Sequence, residues 1–224
     1  MPKLVIIGAS GHGKVIADIA VRLDYGDIVF LDDDPSVLQC AGFPVVGTSA
    51  MAGKVDGDCE YVVAIGNPAV RERIQGSIDG RLAALVHPDA TIGRRVEMGA
   101  GSVVMAGAVV NSDAAIGKGA IVNTCASVDH DCRIGDFVHV SVGAHVAGTV
   151  NVGERTWLGI GCCVSNNINI CHDCMVGAGA AVVRDIDAPG TYVGVPARLL
   201  HYNDDKSAGG GWLLANSRRL PLAA

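Results

Sequence analysis

A histidine between two carboxylates is the feature of this sequence that could carry acid–base chemistry. His130 lies between Asp129 and Asp131 in the segment Val-Asp-His-Asp-Cys-Arg. An imidazole with an ordinary pKa of about 6.5 can accept a proton at neutral pH. Gly148 follows 18 residues later, and its amide could act as an oxyanion donor beside that base if the chain repeats with that period. The spacing alone leaves open that His130 is an ordinary polar turn residue.

Cys171, His172 and Cys174 form a second group, with the side chains of a zinc site. The repeat described below puts Cys174 inside and Cys171 at a corner, so we expect their sulfurs to diverge. A structural zinc site needs four convergent ligands, and we therefore predict no metal here. The eight cysteines are expected to be reduced thiols, as in a cytosolic protein.

A glycine-rich turn near the start of the chain is the element that could bind an anion. Residues 3–7 predict a strand, residues 8–13 the turn Gly-Ala-Ser-Gly-His-Gly, and residues 14–23 a helix. A helix that begins after such a turn directs backbone N–H groups at a phosphate or another anion. The glycine spacing is not the full dinucleotide fingerprint.

Two further strands are predicted to bring polar residues to the same edge. The strand over 28–31 leads into three aspartates, Asp32 to Asp34, and the strand over 61–65 leads into Gly66 and Asn67. A helix then starts at Pro68, since proline favours the first helical position, and Arg71, Glu72 and Arg73 are assigned to its polar face. This βαβαβ pattern predicts a nucleotide-binding half sheet with a ligand at the strand ends. The alternative is a tight turn followed by a solvated acidic loop.

An aliphatic residue at every sixth position organises the rest of the chain. Seventeen hexads between residues 86 and 187 start with Val86, Ile92, Met98, Val104, Val110, Ile116, Val122, Val128, Ile134, Val140, Val146, Val152, Leu158, Val164, Ile170, Val176 and Val182. The fifth position is small or compact in each. A period of six over this length fits neither an amphipathic helix nor an ordinary strand, and it predicts a solenoid.

The spacing also predicts how the solenoid is built. If each hexad is a short strand plus a turn, its first and fifth residues point inward, and glycines at the second position fit crowded corners. Three hexads make a triangular coil of 18 residues, and coils stack at roughly 4.8 Å. No hexad buries its aliphatic face alone, so stacking supplies the core. Seventeen hexads give five to six coils, with His130 and Gly148 on adjacent coils.

Composition restricts the function classes. The 224 residues carry a net charge of −6, which argues against nucleic acid and gives no basic face for a membrane. Neither a membrane span nor a signal peptide is expected from the pattern, and we predict a cytoplasmic protein. Aromatic residues make up 4%, as suits a narrow solenoid interior. We predict domains at 1–85 and 86–202.

The combined pattern resembles a known family. The motif Gly-Ala-Ser-Gly-His-Gly, the hexads, Asn-Thr-Cys-Ala-Ser-Val-Asp-His-Asp-Cys, His-Val-Ser-Val-Gly-Ala-His-Val-Ala-Gly and Gly-Val-Pro-Ala-Arg are similar to hexapeptide-repeat sugar acetyltransferases of the bacillosamine and perosamine type, related to sialic acid O-acetyltransferases. The resemblance covers residues 3 to about 202. It implies a Rossmann-like half domain followed by a left-handed parallel β-helix, and acetyl-CoA-dependent N-acetylation of a nucleotide-linked 4-amino-4,6-dideoxy sugar in surface polysaccharide or glycan biosynthesis, such as that of lipopolysaccharide. The tail, 203–224, has no counterpart and is expected to be a flexible linker.

The resemblance also implies site residues on the β-helix. His130 would be the general base, Asp131 would hold its imidazole, and the Gly148 amide would face the thioester oxygen. Acetyl-CoA would lie between two subunits of a homotrimer, and its contacts would be His139, Gly148, Gly159, Gly161, Ala178, Gly179 and Pro196. The nucleotide-linked sugar would contact the first domain at Ser10, Gly11, His12, Asp32, Asp33, Gly66 and Asn67.

Three other functions remain open. A sialic-acid-type O-acetyltransferase would use the same fold. A γ-type carbonic anhydrase would need zinc on three histidines, for which His130, His139 and His145 give the number but not the family's spacing. A non-catalytic scaffold or nucleotide sensor would leave His130 as a surface residue.

Overall fold

Short apolar runs build the first part of the chain as a mostly parallel sheet. The computed structural model describes residues 2–203. In this part of the chain the elements are β1 Lys3–Ile7, α1 Gly11–Arg22, β2 Ile28–Leu31, β3 Gln39–Cys40, β4 Phe43–Gly47, a 3₁₀ helix Ser49–Met51, β5 Cys59–Val63, α2 Pro68–Gly76 and β6 Arg81–Leu82. The strand order is β3-β4-β2-β1-β5-β6, with only the β3–β4 pair antiparallel.

The predicted βαβαβ core is present, with shifted boundaries and added edge strands. The helix expected at 14–23 begins at Gly11, because Gly11 and Gly13 of the glycine-rich turn already have helical conformation. The strand expected at 61–65 is Cys59–Val63. Helix α2 starts at Pro68, as predicted. Strands β3, β4 and β6 are additions to the predicted pattern: β3 and β6 have two residues each, and β4 alternates half-buried and exposed residues.

Close backbone contact seats α1 on the sheet. A Cβ atom on Gly13 would lie 2.2 Å from the Gly8 carbonyl oxygen and 3.0 Å from the Phe30 ring. Only glycine permits this approach of helix and strand. The carboxyl ends of β1, β2 and β5 are in register, with Ile7 beside both Leu31 and Val63. These three strand ends therefore form one edge, which we call the carboxyl edge.

The hexads form strands of two residues each. Within residues 2–203, these strands, β7 to β23, are Leu85–Val86, Thr91–Ile92, Glu97–Met98, Val103–Val104, Val109–Val110, Ala115–Ile116, Ile121–Val122, Ser127–Val128, Arg133–Ile134, His139–Val140, His145–Val146, Asn151–Val152, Trp157–Leu158, Cys163–Val164, Asn169–Ile170, Met175–Val176 and Ala181–Val182. Each pairs in parallel with the strand 18 residues away, as Val110 does with Val128.

The strands make three faces of a prism. Face 1 holds β7, β10, β13, β16, β19 and β22, face 2 holds β8, β11, β14, β17, β20 and β23, and face 3 holds β9, β12, β15, β18 and β21. We call the turns from face 1 to face 2 corner A, those from face 2 to face 3 corner B, and those from face 3 to face 1 corner C. The 18-residue coil predicted from the sequence is confirmed.

The core of the prism follows the hexad pattern. First and fifth positions are buried from Val104 onward, including Ala108 and Cys132 at 0% exposure. At the first coil, Ile92 is 37% exposed, because no coil precedes it. Second-position glycines are needed for stacking, since a Cβ on Gly99 would lie 2.4 Å from the amide nitrogen of Lys118 on the next coil.

The prism is closed at its far end and joined to the sheet on face 1. Strands β24 Gly190–Val193 and β25 Arg198–Tyr202 follow the last hexads, and β24 pairs with β22. Ile6 of β1 and Ile16 of α1 share one buried cluster with Leu85, Val103 and Ile121 of face 1. Residues 204–224 of the predicted linker lie outside the described residues. No helix within 2–203 is both long and apolar enough to cross a membrane.

Candidate active site

His130 lies at corner B and is held by the two acids that flank it. Its backbone amide donates to Asp129 Oδ1 at 2.8 Å, and its Nδ1 lies 2.7 Å from Asp131 Oδ2. Asp131 has φ +59°, a left-handed turn conformation that aspartate tolerates and that turns its carboxylate back to the ring. The hydrogen bond that His130 donates to Asp131, together with the charge of Asp129, raises the pKa of His130. When Nδ1 carries the proton, Nε2 is the basic nitrogen of the neutral ring.

Gly148 lies directly beneath that basic nitrogen. A Cβ there would be 2.6 Å from His130 Nε2, so only glycine at this position lets the imidazole stay where it is. The Gly148 amide donates to no acceptor within residues 2–203. The amides of Ser112 and Val142 occupy the same turn position and also have none in this range. The adjacent His130 ring, rather than the free amide, distinguishes Gly148.

Four of the predicted coenzyme contacts line a different corner. Gly159, Gly161, Ala178 and Gly179 lie in the turns of corner A, after β19 and β22. Gly161 and Gly179 are exposed, and a Cβ on either would meet no atom within 4 Å. Ile160 at the same corner is 61% exposed, whereas Gly159 packs against the Val176 carbonyl of the next coil. Pro196 is exposed beyond the last turn.

Corners A and B are the two edges of face 2. Within one chain, the structure therefore does not bring His130 together with the predicted coenzyme contacts at Gly161 and Gly179.

His139 is buried on face 1, close to the first sheet rather than to His130. It is 6% exposed, its ring centroid lies 4.4 Å from that of Trp157 and 6.5 Å from that of His12. Burial, the Arg71 charge and the neighbouring His12 lower the pKa of His139 to about 3. Its contact with the coenzyme stays a prediction.

Asn123 determines which nitrogen of His139 carries the proton. Asn123 Oδ1 accepts from the Thr124 amide at 2.8 Å, so its Nδ2 group faces His139 Nε2 at 3.0 Å. The neutral ring then has its proton on Nδ1. That buried nitrogen has no hydrogen-bond partner in the described part of the chain, and the same is true of Ser141 Oγ and His12 Nε2.

The glycine-rich turn leaves space at Gly11 and encloses His12. Ser10 is the N-cap residue of α1 without a side-chain cap, and a Cβ on Gly11 would meet nothing within 4 Å. His12 is partly exposed as a residue, but its Nε2 atom is buried. Burial and the Arg71 charge lower the pKa of His12 to about 4. Both His12 and His139 are thus neutral at physiological pH.

The acidic residues of the carboxyl edge are engaged by the chain itself. Asp32 accepts from the amides of Ala9 at 2.6 Å and Asp34 at 2.9 Å, and Asp33 accepts from the Ser49 amide and hydroxyl, each at 2.8 Å. A carboxylate has about four acceptor positions, so these bonds leave room for a ribose hydroxyl. The predicted contacts with ribose or base stay predictions.

Gly66 and Asn67 complete the carboxyl edge. Asn67 Oδ1 caps α2 by accepting from the Val70 amide at 3.0 Å. Gly66 faces Trp157, whose Cη2 would lie 3.5 Å from a Cβ at that position. The loop after β5 therefore meets face 1 of the prism.

Two sequence interpretations are wrong. Arg71 is 0% exposed rather than on a solvated polar face. It shares a buried side of α2 with Pro68 and Gln75, because that side of the helix lies against corner C. The sulfurs of Cys171 and Cys174 lie 3.4 Å apart rather than diverging, because Cys171 packs against the prism core.

The three histidines of the carbonic anhydrase alternative do not converge within one chain. His130 is at corner B, His139 is buried on face 1, and His145 is exposed on face 2 with its Nδ1 2.9 Å from Ser127 Oγ. The described residues contain no group of three or more His, Cys, Asp or Glu side chains arranged to hold a metal ion.

Known proteins are similar to this chain in sequence and in fold. Residues 3–78 match the family model described as the PglD N-terminal domain. UDP-N-acetylbacillosamine N-acetyltransferase of Bacillus subtilis (strain 168) is 35% identical over 115 residues, which are 47% of this chain and 52% of that protein. The chain thus matches about half the length of this curated relative.

Solved structures match over nearly the whole described chain. The acetyltransferase domain of PglB from Neisseria gonorrhoeae FA1090 is 42% identical with a TM-score of 0.86, covering 89% of this chain and 100% of that one, and a similar match is its complex with acetyl coenzyme A. PerB from Caulobacter crescentus, in complex with CoA and GDP-perosamine, is 37% identical with a TM-score of 0.84, covering 89% and 97%. These matches confirm the predicted fold, an α/β unit followed by a left-handed parallel β-helix.

Proposed function

The chain belongs to the hexapeptide-repeat sugar acetyltransferases of the bacillosamine and perosamine type, which use acetyl-CoA, and we propose that it acetylates the amino group of a nucleotide-linked 4-amino-4,6-dideoxy sugar. The observation that carries the proposal is the His130 imidazole, oriented by Asp131 and lying over Gly148. We place the reaction in the cytoplasm because it consumes acetyl-CoA, and we assign its product to surface polysaccharide or glycan biosynthesis, such as that of lipopolysaccharide.

The proposed reaction is direct transfer in a ternary complex. The sugar amine attacks the thioester carbonyl carbon, and His130 Nε2 accepts the proton that the nitrogen loses. Asp131 stabilises the imidazolium, while the Gly148 amide faces the oxygen that gains negative charge. When the tetrahedral intermediate collapses, the carbon–sulfur bond breaks and the His130 imidazolium returns its proton to the CoA thiolate. No covalent acyl-enzyme is needed, because a thioester is already activated.

In this proposal the two parts of the chain bind different substrates. Residues 1–85 hold the sugar nucleotide at the carboxyl edge through Ser10, Gly11, His12, Asp32, Asp33, Gly66 and Asn67. Residues 86–202 hold acetyl-CoA along corner A through Gly159, Gly161, Ala178, Gly179 and Pro196, with His139 near the acetyl end. The open space at Gly11, Gly161 and Gly179 supports this division.

We further propose that the enzyme is a homotrimer in which one subunit supplies corner B and its neighbour corner A. The separation of His130 from Gly161 on opposite edges of face 2 supports a shared site. Two inactive variants test it, His130→Ala and Gly161→Trp, the latter placing a ring in the coenzyme path. Refolding them together should restore activity at interfaces that combine an intact His130 with an intact corner A. No recovery in mixed trimers would contradict the shared site.

A substrate panel tests the activity. The protein is incubated with acetyl-CoA and UDP-, GDP- or dTDP-linked 4-amino-4,6-dideoxy sugars, and thiol release is followed. We expect release with at least one amino sugar and an amide in its product. An acetyl ester on a sugar hydroxyl would favour the O-acetyltransferase alternative, and no release with any acceptor would favour the non-catalytic one.

A further inference from the structure

Arg71 is a buried cation that hydrogen-bonds only to main-chain carbonyls within residues 2–203. Its Nε donates to Gly119 at 2.7 Å and its Nη2 to Phe137 at 2.5 Å, while Nη1 donates to Ile65 and to Gly66, each at 2.8 Å. Burial lowers the pKa of Arg71 to about 9. The guanidinium therefore remains protonated at neutral pH.

Burying a cation costs free energy that merely holding a helix in place does not require. A buried cation without a carboxylate loses its hydration, and an apolar side chain of similar volume would fill the same space without that cost. The positions of the four carbonyls suggest what the charge is for. Ile65 and Gly66 belong to the loop after β5, whereas Gly119 and Phe137 are turns of corner C on consecutive coils.

Gln75 provides the comparison within the same helix. It lies one turn further along α2, is 5% exposed, and donates from Nε2 to the Ala100 carbonyl of corner C at 3.0 Å. Both side chains therefore fasten α2 to the prism. Of the two, only Arg71 also hydrogen-bonds to the loop after β5 in the part of the chain that the structure describes.

That loop forms one wall of the junction between the carboxyl edge and face 1. Gly66 rests against the Trp157 ring, which packs on His139 at 4.4 Å, and His139 faces His12 at 6.5 Å. A shift of the loop would change the packing of Trp157 on His139, whose ring faces His12 at the start of α1. Arg71 thus bonds to both sides of the space in which the sugar nucleotide is expected.

Building on the proposed function, we propose that Arg71 is a positioning residue: it fixes the carboxyl edge against face 1 and so sets the affinity for the sugar nucleotide. It need not touch the substrate, because it acts through the carbonyls of Ile65 and Gly66.

Arg71→Met and Arg71→Lys test this role, with Gln75→Met as the matched control. In Arg71→Met the KM for the sugar nucleotide should rise about tenfold or more, while kcat and the KM for acetyl-CoA change less than about threefold. Arg71→Lys, which keeps the charge but not the four bonds, should give a smaller rise. Gln75→Met should leave all three constants within about twofold. Circular dichroism checks that each variant is folded.

Hydrogen exchange of the amides at 64–67 gives a readout that needs no substrate. Exchange should be faster in both Arg71 variants and unchanged in Gln75→Met. Unchanged exchange in a folded Arg71 variant, or an unchanged KM for the sugar nucleotide, would overturn the positioning role. A wild-type protein that transfers no acetyl group would instead overturn the proposed function and the role in sugar-nucleotide binding with it, while the exchange result would still decide whether Arg71 holds the loop.

Discussion

Two environments in this molecule shift the pKa of histidine side chains in opposite directions. At corner B, His130 is exposed and hydrogen-bonded to a carboxylate, which raises its pKa. At the junction with the first sheet, His12 and His139 lie in a poorly hydrated region near a guanidinium, which lowers their pKa values to about 4 and 3. The first environment suits proton uptake, and the second keeps neutral rings that offer fixed hydrogen-bonding atoms.

Removing the exposed imidazole should produce the largest effect. In His130→Ala the attacking amine has no base at corner B, so kcat should fall by about a hundredfold or more while binding of acetyl-CoA is nearly unchanged. Steady-state thiol release and calorimetric titration measure the two quantities. His145→Ala, which removes an exposed histidine of face 2 bonded to Ser127, should change kcat less than about twofold. Equal activity of His130→Ala and wild type would remove His130 from the mechanism.

Acid should destabilise the protein through the buried pair. A histidine whose pKa is lowered on folding binds fewer protons folded than unfolded, so stability is lost as the pH falls below about 6.5. For His139 the loss at pH 5 is on the order of 2 kcal/mol, about thirtyfold in the unfolding equilibrium. Urea unfolding at pH 7 and pH 5 measures the loss of unfolding free energy. In His139→Gln this loss should be smaller than in the wild type by about the His139 contribution. An identical pH dependence in both proteins would contradict the lowered pKa.

Gly148→Ala should disturb the corner B site without removing a functional group. The new methyl carbon would lie 2.6 Å from His130 Nε2, so the imidazole must move from the position where it meets the amine. We expect kcat to fall about tenfold with little change in KM, since small misplacements of a catalytic group are costly. In the control Gly26→Ala the added carbon meets open space. A wild-type kcat in Gly148→Ala would show that this placement of the ring is unimportant.

Asp131→Asn should give the smallest change in rate and the clearest change in pH dependence. Loss of the carboxylate removes the main cause that raises the pKa of His130, so the ring stays unprotonated to lower pH. The acidic limb of the kcat/KM profile should move to lower pH, while the maximal rate falls about threefold to fivefold because the imidazolium is less stabilised. A shift of that limb to higher pH would contradict the assigned cause.

The sequence predicted those features that depend on local spacing. The period of six determines which residues point inward, and it placed Gly148 one coil beyond His130 because parallel coils add 18 residues. The turn before α1 and the start of α2 at Pro68 also follow from neighbouring residues.

Features that depend on docking could not be read in this way. His12 and His139 meet only after the first sheet packs on face 1, and Arg71 is buried because α2 lies against corner C. A polar residue on an amphipathic helix is normally solvated, so the charge of Arg71 predicts exposure to solvent rather than burial. The approach of Cys171 to Cys174 depends on the rotation of one side chain, which the hexad register does not specify.

The ladder of parallel coils also limits how the length of this chain can change. Because each two-residue strand of the hexads pairs with the strand 18 positions away, loss of six residues would rotate everything beyond by a third of a revolution and move later turns to the wrong edge. Loss of one complete coil would shorten the prism and leave every edge aligned. Insertions and deletions that preserve the site should therefore occur in whole revolutions, or as loops that bulge from a single turn.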